Sequence, residues 1–225
     1  MVKFENVTKK FGSSKALDDV SFDVEEGEFV FLTGHSGAGK TTLLKLLLRD
    51  LKPDTGKIII DGVDIATLKK KEIPFYRRKL GIVFQDFKLL YDRTVSENVE
   101  IALDVASEKG DRAKKIKEVL EEVGLTGKGD LFPRQLSGGE LQRAVIARAL
   151  ISKPKLIIAD EPTGNLDPVT SRQIVGLLDK TTEHGTTVIM ATHNENIVNS
   201  LKRHVINLKG GKLSSDKKGG HYIED

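Results

Sequence analysis

Cysteine is absent from the 225-residue chain, which excludes disulfides and thiolate metal sites and makes a reducing compartment the expected home. No apolar run approaches the roughly 20 residues that cross a bilayer, and Met1 to Phe11 lacks the apolar centre of a signal peptide. The expectation is a chain that neither spans a membrane nor is exported. Charge of one sign is not in excess: 36 Lys and Arg against 33 Asp and Glu leave a net +3, too little to argue for nucleic acid. Repeats and linker-like stretches are missing as well, and the length suits one large α/β domain or two small ones.

The segments that are present alternate with two periods. Val2 to Val7 and Leu17 to Val24 alternate at every second residue, and Ile58 to Ile60 runs into Asp61-Gly62 before Val63 and Ile65. Such runs, joined by a tight-turn pair, predict an antiparallel layer. Leu80 to Phe84 reads as a further strand. From Thr94 the period becomes helical: Thr94 and Glu97 stand at capping-box spacing, and Ile116, Val119, Leu120 and Val123 line a second helix ending near Gly124. Leu156 to Ala159 and Thr187 to Ala191, with a helix start at Asp167-Pro168 between them, predict buried parallel strands and an α/β core. Arg203 to Leu208 with Gly210-Gly211 predicts a hairpin, and the polar stretch Ser214 to Asp225 a loosely held tail.

Residues 34–42, Gly-His-Ser-Gly-Ala-Gly-Lys-Thr-Thr, fit the pattern G-x-x-x-x-G-K-[ST] between the apolar run Phe29 to Leu32 and the helix-like run Leu43 to Leu48. Gly34, Gly37 and Gly39 let the backbone curl. N–H groups along His35, Ser36, Ala38, Lys40, Thr41 and Thr42 then face one concavity at a helix start, which suits an anion of phosphate size. Lys40 would reach the β- and γ-phosphates of a nucleotide, and the Thr41 hydroxyl would ligate the Mg²⁺ it carries.

A second signal is the apolar strand Leu156 to Ala159 that ends in Asp160 and Glu161. Ligands of open α/β sheets collect at the carboxyl ends of strands, so these acids are expected beside the phosphate loop. Neighbouring strand residues point to opposite sides. Asp160 is suited to hold Mg²⁺ through its water shell, and Glu161 to polarise a water against the γ-phosphate. The third signal is Leu136-Ser137-Gly138-Gly139-Glu140, where Ser137 and Glu140 have capping-box spacing before an apolar helix. A glycine-flanked helix start is a second anion site, about 100 residues from the first, and the two need not act on one nucleotide from one molecule.

In order along the chain stand the phosphate loop, Gln85 after a strand, the Leu-Ser-Gly-Gly-Glu segment, the acidic strand, Asn165-Leu166-Asp167, and His193 after the last core strand. With these motifs the sequence resembles the ATP-binding subunits of the ABC ATPase family along nearly its whole length. The resemblance implies a single P-loop NTPase domain over 1–225, with a RecA-like core, an N-terminal antiparallel β layer and a helical subdomain at roughly 90–152. It implies Mg²⁺-dependent ATP hydrolysis by a head-to-tail homodimer. Each ATP would lie between one subunit's phosphate loop and Ser137, Gly138, Gly139 and Glu140 of the other. Gln85 would touch Mg²⁺ or the attacking water, Asp167 would communicate across the dimer, and His193 would hold the γ-phosphate and Glu161. Phe11 stands where the family stacks an aromatic, often Tyr, on adenine. Read without the family, a lone histidine is more often structural.

Within the family, His35 and Ala38 in the loop, Phe84 to Leu90 with Asp86, and Asp92-Arg93-Thr94-Val95 resemble the bacterial cell-division ATP-binding subunits. Subunits for lipoprotein release, macrolide export and amino-acid import share the remaining motifs. The cell-division resemblance implies a place at the inner face of the cytoplasmic membrane, an integral membrane partner of the FtsX kind, and indirect control of cell-wall hydrolases. Relatives that work on DNA or ribosomes need a long heptad coiled coil between phosphate loop and signature, or two ATPase units in one chain. This sequence has neither, so no nucleic-acid partner is expected. Phe87, Leu89, Leu90 and Tyr91 read either as a docking surface for the membrane partner or as packing of the helical part. Lys69 to Lys71 with Arg77 to Lys79 read as a partner or lipid-facing edge or as plain solvated charge, and Lys217-Lys218 as solvated.

Overall fold

The computed structural model describes residues 1–108 and 110–222. Along the chain lie β1 (Val2–Phe11), β2 (Ser14–Val24), β3 (Phe29–Thr33), α1 (Lys40–Leu47), β4 (Thr55–Ile60), β5 (Val63–Asp64) and α2 (Ile73–Arg77). Then come β6 (Leu80–Phe84), α3 (Val95–Ala106), α4 (Arg112–Glu122), α5 (Gly138–Leu150), β7 (Leu156–Asp160) and α6 (Pro168–Lys180). Last are β8 (Thr187–Ala191), α7 (Glu195–Leu201), β9 (His204–Lys209) and β10 (Lys212–Lys217). These elements gather into two compact units, one of Met1–Arg77 with Thr187–Asp225 and one of Arg78–Thr186. The second unit thus takes in β6 and β7 besides the helices expected near 90–152.

In the first unit, period-two burial builds the antiparallel sheet β2-β1-β4-β5. Pairing of Phe4 with Phe22 stacks their rings, centroids 4.5 Å apart. Burying a phenyl of this kind contributes about 2–3 kcal/mol. The other strands of the unit run in the order β10-β9-β3-β8. There β3 is parallel to both β8 and β9, and every residue from Phe29 to Thr33 is buried, as for a strand covered on both faces. At the end of α2, the Arg77 guanidinium donates to Leu48 O (2.8 Å) and to Asp50 (2.5 Å), so this member of the basic cluster has a structural task. Lys69, Lys70, Lys71 and Lys79 are exposed.

The loose tail expected from Ser214 is corrected for most of its length. Strand β10 pairs antiparallel with β9, Lys212 opposite Lys209 and Lys217 opposite Val205. His204 Nε2 meets Asp216 at 2.5 Å, and Lys218 pairs with Glu25 (2.5 Å) and Glu28 (3.3 Å), so Lys218 is not merely solvated. Gly220 N donates to Arg203 O (3.1 Å) and Tyr222 N to Asn199 Oδ1 (2.8 Å). The hairpin expected at Gly210-Gly211 is there; polar composition hid how far its second strand runs, because an edge strand is held by its backbone and needs few buried side chains. Residues 223–225 of the expected tail lie outside the described residues.

In the second unit, β6 and β7 pair in parallel from Leu80 opposite Leu156 to Phe84 opposite Asp160. Helix α3 begins with the predicted reciprocal cap: Thr94 N donates to Glu97 Oε2 (2.7 Å) and Glu97 N to Thr94 Oγ1 (3.2 Å). On α4 the predicted face, Ile116, Val119 and Leu120, is buried. Asp167 caps α6 by accepting from Val169 N (2.9 Å) and Thr170 N (3.0 Å).

Candidate nucleotide site

In the first unit the predicted phosphate loop follows β3 and opens into α1. Gly34, Gly37 and Gly39 have φ of +132°, +80° and +112°, a region that side chains disfavour. At two of them there is no room either: a Cβ on Gly34 would lie 2.2 Å from Leu208 O, and one on Gly39 2.6 Å from Ala16 O. Gly39 precedes α1 and supplies no side-chain cap to its first turn. The Lys40 ammonium folds over the loop and donates to the carbonyls of Gly34 and His35, the latter at 3.1 Å. His35, Ser36, Gly37 and Thr41 are exposed, Thr42 is half-buried and Ala38 is buried.

His193 is exposed just past β8, whose Ala191 is paired with Leu32 of β3. The phosphate loop and His193 therefore leave the carboxyl ends of two adjacent parallel strands, where ligands of such sheets gather. Phe11, at the end of β1, is 51% exposed, and the Lys9 ammonium sits 5.7 Å from its ring centroid.

The second unit repeats this arrangement. Gln85 and Glu161 lie just past the paired ends Phe84 and Asp160 of β6 and β7. Glu161 takes φ +47°, which turns the chain sharply away from the strand. Gln85 Nε2 donates to Asn165 Oδ1 at 3.4 Å and is packed so closely on Gly164 that a Cβ there would lie 2.7 Å from it. Gly164 was not singled out in the sequence; its place between Thr163 and Asn165, after two strand-end acids, was the available signal.

The unit also brings Ser137 to Glu140 beside Asp167. A Cβ on Gly139 would lie 2.6 Å from Thr170 Cγ2, in the turn that Asp167 caps, and one on Gly138 3.5 Å from Leu166 Cδ2. Glu140 accepts from Ser137 N and Ser137 Oγ, both at 2.8 Å, and from the Lys128 ammonium. The Lys128 bond, then those from Ser137, hold the Glu140 carboxyl down at about 2. The Thr170 bonds likewise hold Asp167 below its ordinary range.

The segment after Gln85 is fastened from both sides by residues that sequence reasoning missed. Arg148 of α5 donates to Lys88 O (2.5 Å) and Phe87 O (3.0 Å), whose residues have φ of +52° and +59°. Buried Asn98 accepts from Leu90 N (2.8 Å), and its amide nitrogen lies 2.9–3.2 Å from the carbonyls of Leu90, Arg93 and Thr94. Leu89 is buried, Phe87 half-buried, and Leu90 and Tyr91 are 47% and 44% exposed. For Asn98 the available signal was an amide at an inward position of the helix that Thr94 begins.

Residues 17–164 match the family described as ABC transporter. The chain belongs to that family. This ABC protein is 49% identical over 224 residues to the cell division ATP-binding protein FtsE of Bacillus subtilis, covering 99% of this chain and 98% of the relative. It is 47% identical over 215 residues to FtsE of Escherichia coli K12, covering 95% and 97%. Among solved structures it is similar to the dimeric ATP-binding cassette MJ0796 in a post-hydrolysis state bound to ADP and Pi, with a TM-score of 0.87, 38% identity, and 99% and 100% of the chains covered. Similar too is cbiO1 from Clostridium perfringens, part of the transporter complex cbiONQ, with a TM-score of 0.88, 30% identity, and 97% and 88% covered. The protein is an FtsE-like ATP-binding subunit of an ABC-type complex, an ATPase with the cassette fold. Among the described residues, no helix of this ABC subunit is long and apolar enough to cross a membrane.

Proposed function

We propose that two copies of this chain close head to tail on ATP and hydrolyse it, docked on an FtsX-like integral membrane subunit at the inner face of the cytoplasmic membrane. The cycle drives that partner and, through it, cell-wall hydrolases outside. The observation that carries this reading is the glycine cradle between β3 and α1, with Lys40 folded over it, in an FtsE-like chain. A related cassette solved as a dimer supports the pairing.

In this reading Lys40 exchanges two loop carbonyls for phosphate oxygens, a stronger, charge-assisted set of bonds. The N–H groups from Gly34 to Thr42 cradle the phosphates, and the Phe11 ring covers adenine. Mg²⁺ would suit the Thr41 hydroxyl, the Gln85 amide oxygen and the Asp160 carboxylate, all hard oxygens, Asp160 ending β7 and Gln85 following Phe84, its paired neighbour in β6. Held there it would supply charge neutralisation to the phosphates. Glu161 orients the attacking water and takes its proton, and His193 donates to the γ-phosphate. Ser137, Gly138 and Gly139 meet the γ-phosphate of the partner copy's ATP, and Asp167 reports between copies.

Glu161→Gln tests the chemistry. The amide fills the same space but cannot take a proton, so ATP binding persists, the closed dimer accumulates, and turnover drops by about two to three orders of magnitude. Wild-type turnover in that variant removes Glu161 from the mechanism.

A further inference from the structure

A carboxylate is an unexpected occupant of a helix start that must receive phosphate. Glu140 stands three residues into the opening of α5, where the helix dipole favours its charge. That same charge repels an incoming anion. The carboxylate is not left bare. One oxygen receives the Lys128 ammonium, and the other receives Ser137 N and Ser137 Oγ at 2.8 Å each. Lys128 comes from outside α5, from the turn after α4. Its backbone there is fixed by Lys128 N donating to Leu125 O (3.0 Å) and Leu131 N donating to Lys128 O (3.2 Å). The two side chains are 38% and 27% exposed, so water screens the pair only in part.

Ser137 carries a single hydroxyl hydrogen, which here goes to Glu140. It cannot serve Glu140 and a phosphate at once. When the hydroxyl turns to a phosphate, Glu140 loses one of its three donors just as a second anion arrives. Ser137 N and Lys128 remain, and only Lys128 brings a full positive charge.

We propose that Lys128 is a positioning residue of the signature, neutralising Glu140 so that Ser137 can release it and the start of α5 can accept the γ-phosphate bound by a partner copy. This rests on the head-to-tail reading above. Lys128 touches no nucleotide; it acts through Glu140. The low carboxyl value of Glu140 agrees with a pair formed before nucleotide arrives.

The test is ATP-driven dimerisation of the full chain, followed by sedimentation velocity in a Glu161→Gln background that holds the closed dimer. Lys128→Gln is expected to raise the ATP concentration for half-dimerisation about tenfold, and Lys128→Arg to restore it. Once Glu140 is also changed to Gln, adding Lys128→Gln should cost nothing further, because no charge is left to neutralise. Unfolding midpoints of each variant show that it is folded. An equal cost of Lys128→Gln with and without the Glu140 charge would mean a purely structural role and overturns the proposal. So does an unshifted Lys128→Gln beside a Ser137→Ala variant that no longer dimerises. If Ser137→Ala dimerises like the parent, the head-to-tail reading itself falls and the proposal with it.

Discussion

Glu140 is held by bonds from Lys128 and Ser137 at the start of α5. Its carboxyl is held at about 2 against an ordinary 4.5, so the folded state favours the ionised form. The stabilisation is full above the ordinary value and is lost as pH falls through about 2. The stability difference between wild type and Glu140→Gln, from denaturant unfolding, should therefore hold level from neutral pH to about 5 and shrink steadily below it. A difference that grows on acidification contradicts the bonds described for Glu140. At this scale, legibility followed sequence spacing. Lys40, Glu161 and Ser137 were readable because a local pattern carries them: strand, loop, helix, or a strand ending in acids. Lys128 and Arg148 were not, because their partners stand 12 and 60 residues away along the chain.

At the scale of elements, the segment from Gln85 to Tyr91 joins a strand end to an exposed apolar surface. It is held in place from α5 by Arg148 and from α3 by Asn98. Burial lowers the Arg148 guanidinium from its ordinary value. The structure divides the two readings of the apolar residues between them: Leu89 packs inward, whereas Leu90 and Tyr91 face outward. Leu90→Asp should abolish co-purification with an FtsX-like subunit while sparing ATP binding by the isolated chain. Arg148→Ala should weaken the same capture by releasing the carbonyls of Phe87 and Lys88, whose left-handed backbone it helps to hold. Undiminished capture by both variants would place docking elsewhere. Strands were legible here wherever side chains alternated or ran apolar. The hairpin at Gly210-Gly211 was legible, but the continuation of β10 from Ser214 was missed because its pairing lies in main-chain bonds to β9, which composition does not record.

For the whole molecule, the decisive question is which copy serves which nucleotide. Mixing a Ser137→Ala chain with a Lys40→Ala chain should give heterodimers on the partner with one intact composite site and about half of wild-type turnover per dimer. Either variant alone should be inactive. Failure of every mixture to recover activity would point to sites completed within one copy. In cells, Glu161→Gln should impair septation or wall separation and leave small-molecule uptake and export untouched. The ordered motifs made the family legible from sequence. The division into two compact units was not legible, because it depends on contacts between segments as distant as Thr33 and Asn207 in the first unit.

One consequence follows from the placement of β3. Its five buried residues lie between β8 and β9, and the exposed residues His35, Ser36 and Gly37 follow within a few positions. Amide deuterium uptake should therefore change abruptly over a very short stretch. Phe31 and Leu32 should be among the last protons to leave, whereas Ser36 and Gly37 exchange early and slow down only when ATP is added. Such a step would mean that nucleotide binding stiffens the loop against a base already rigid, so that little of the binding energy is spent on ordering the scaffold.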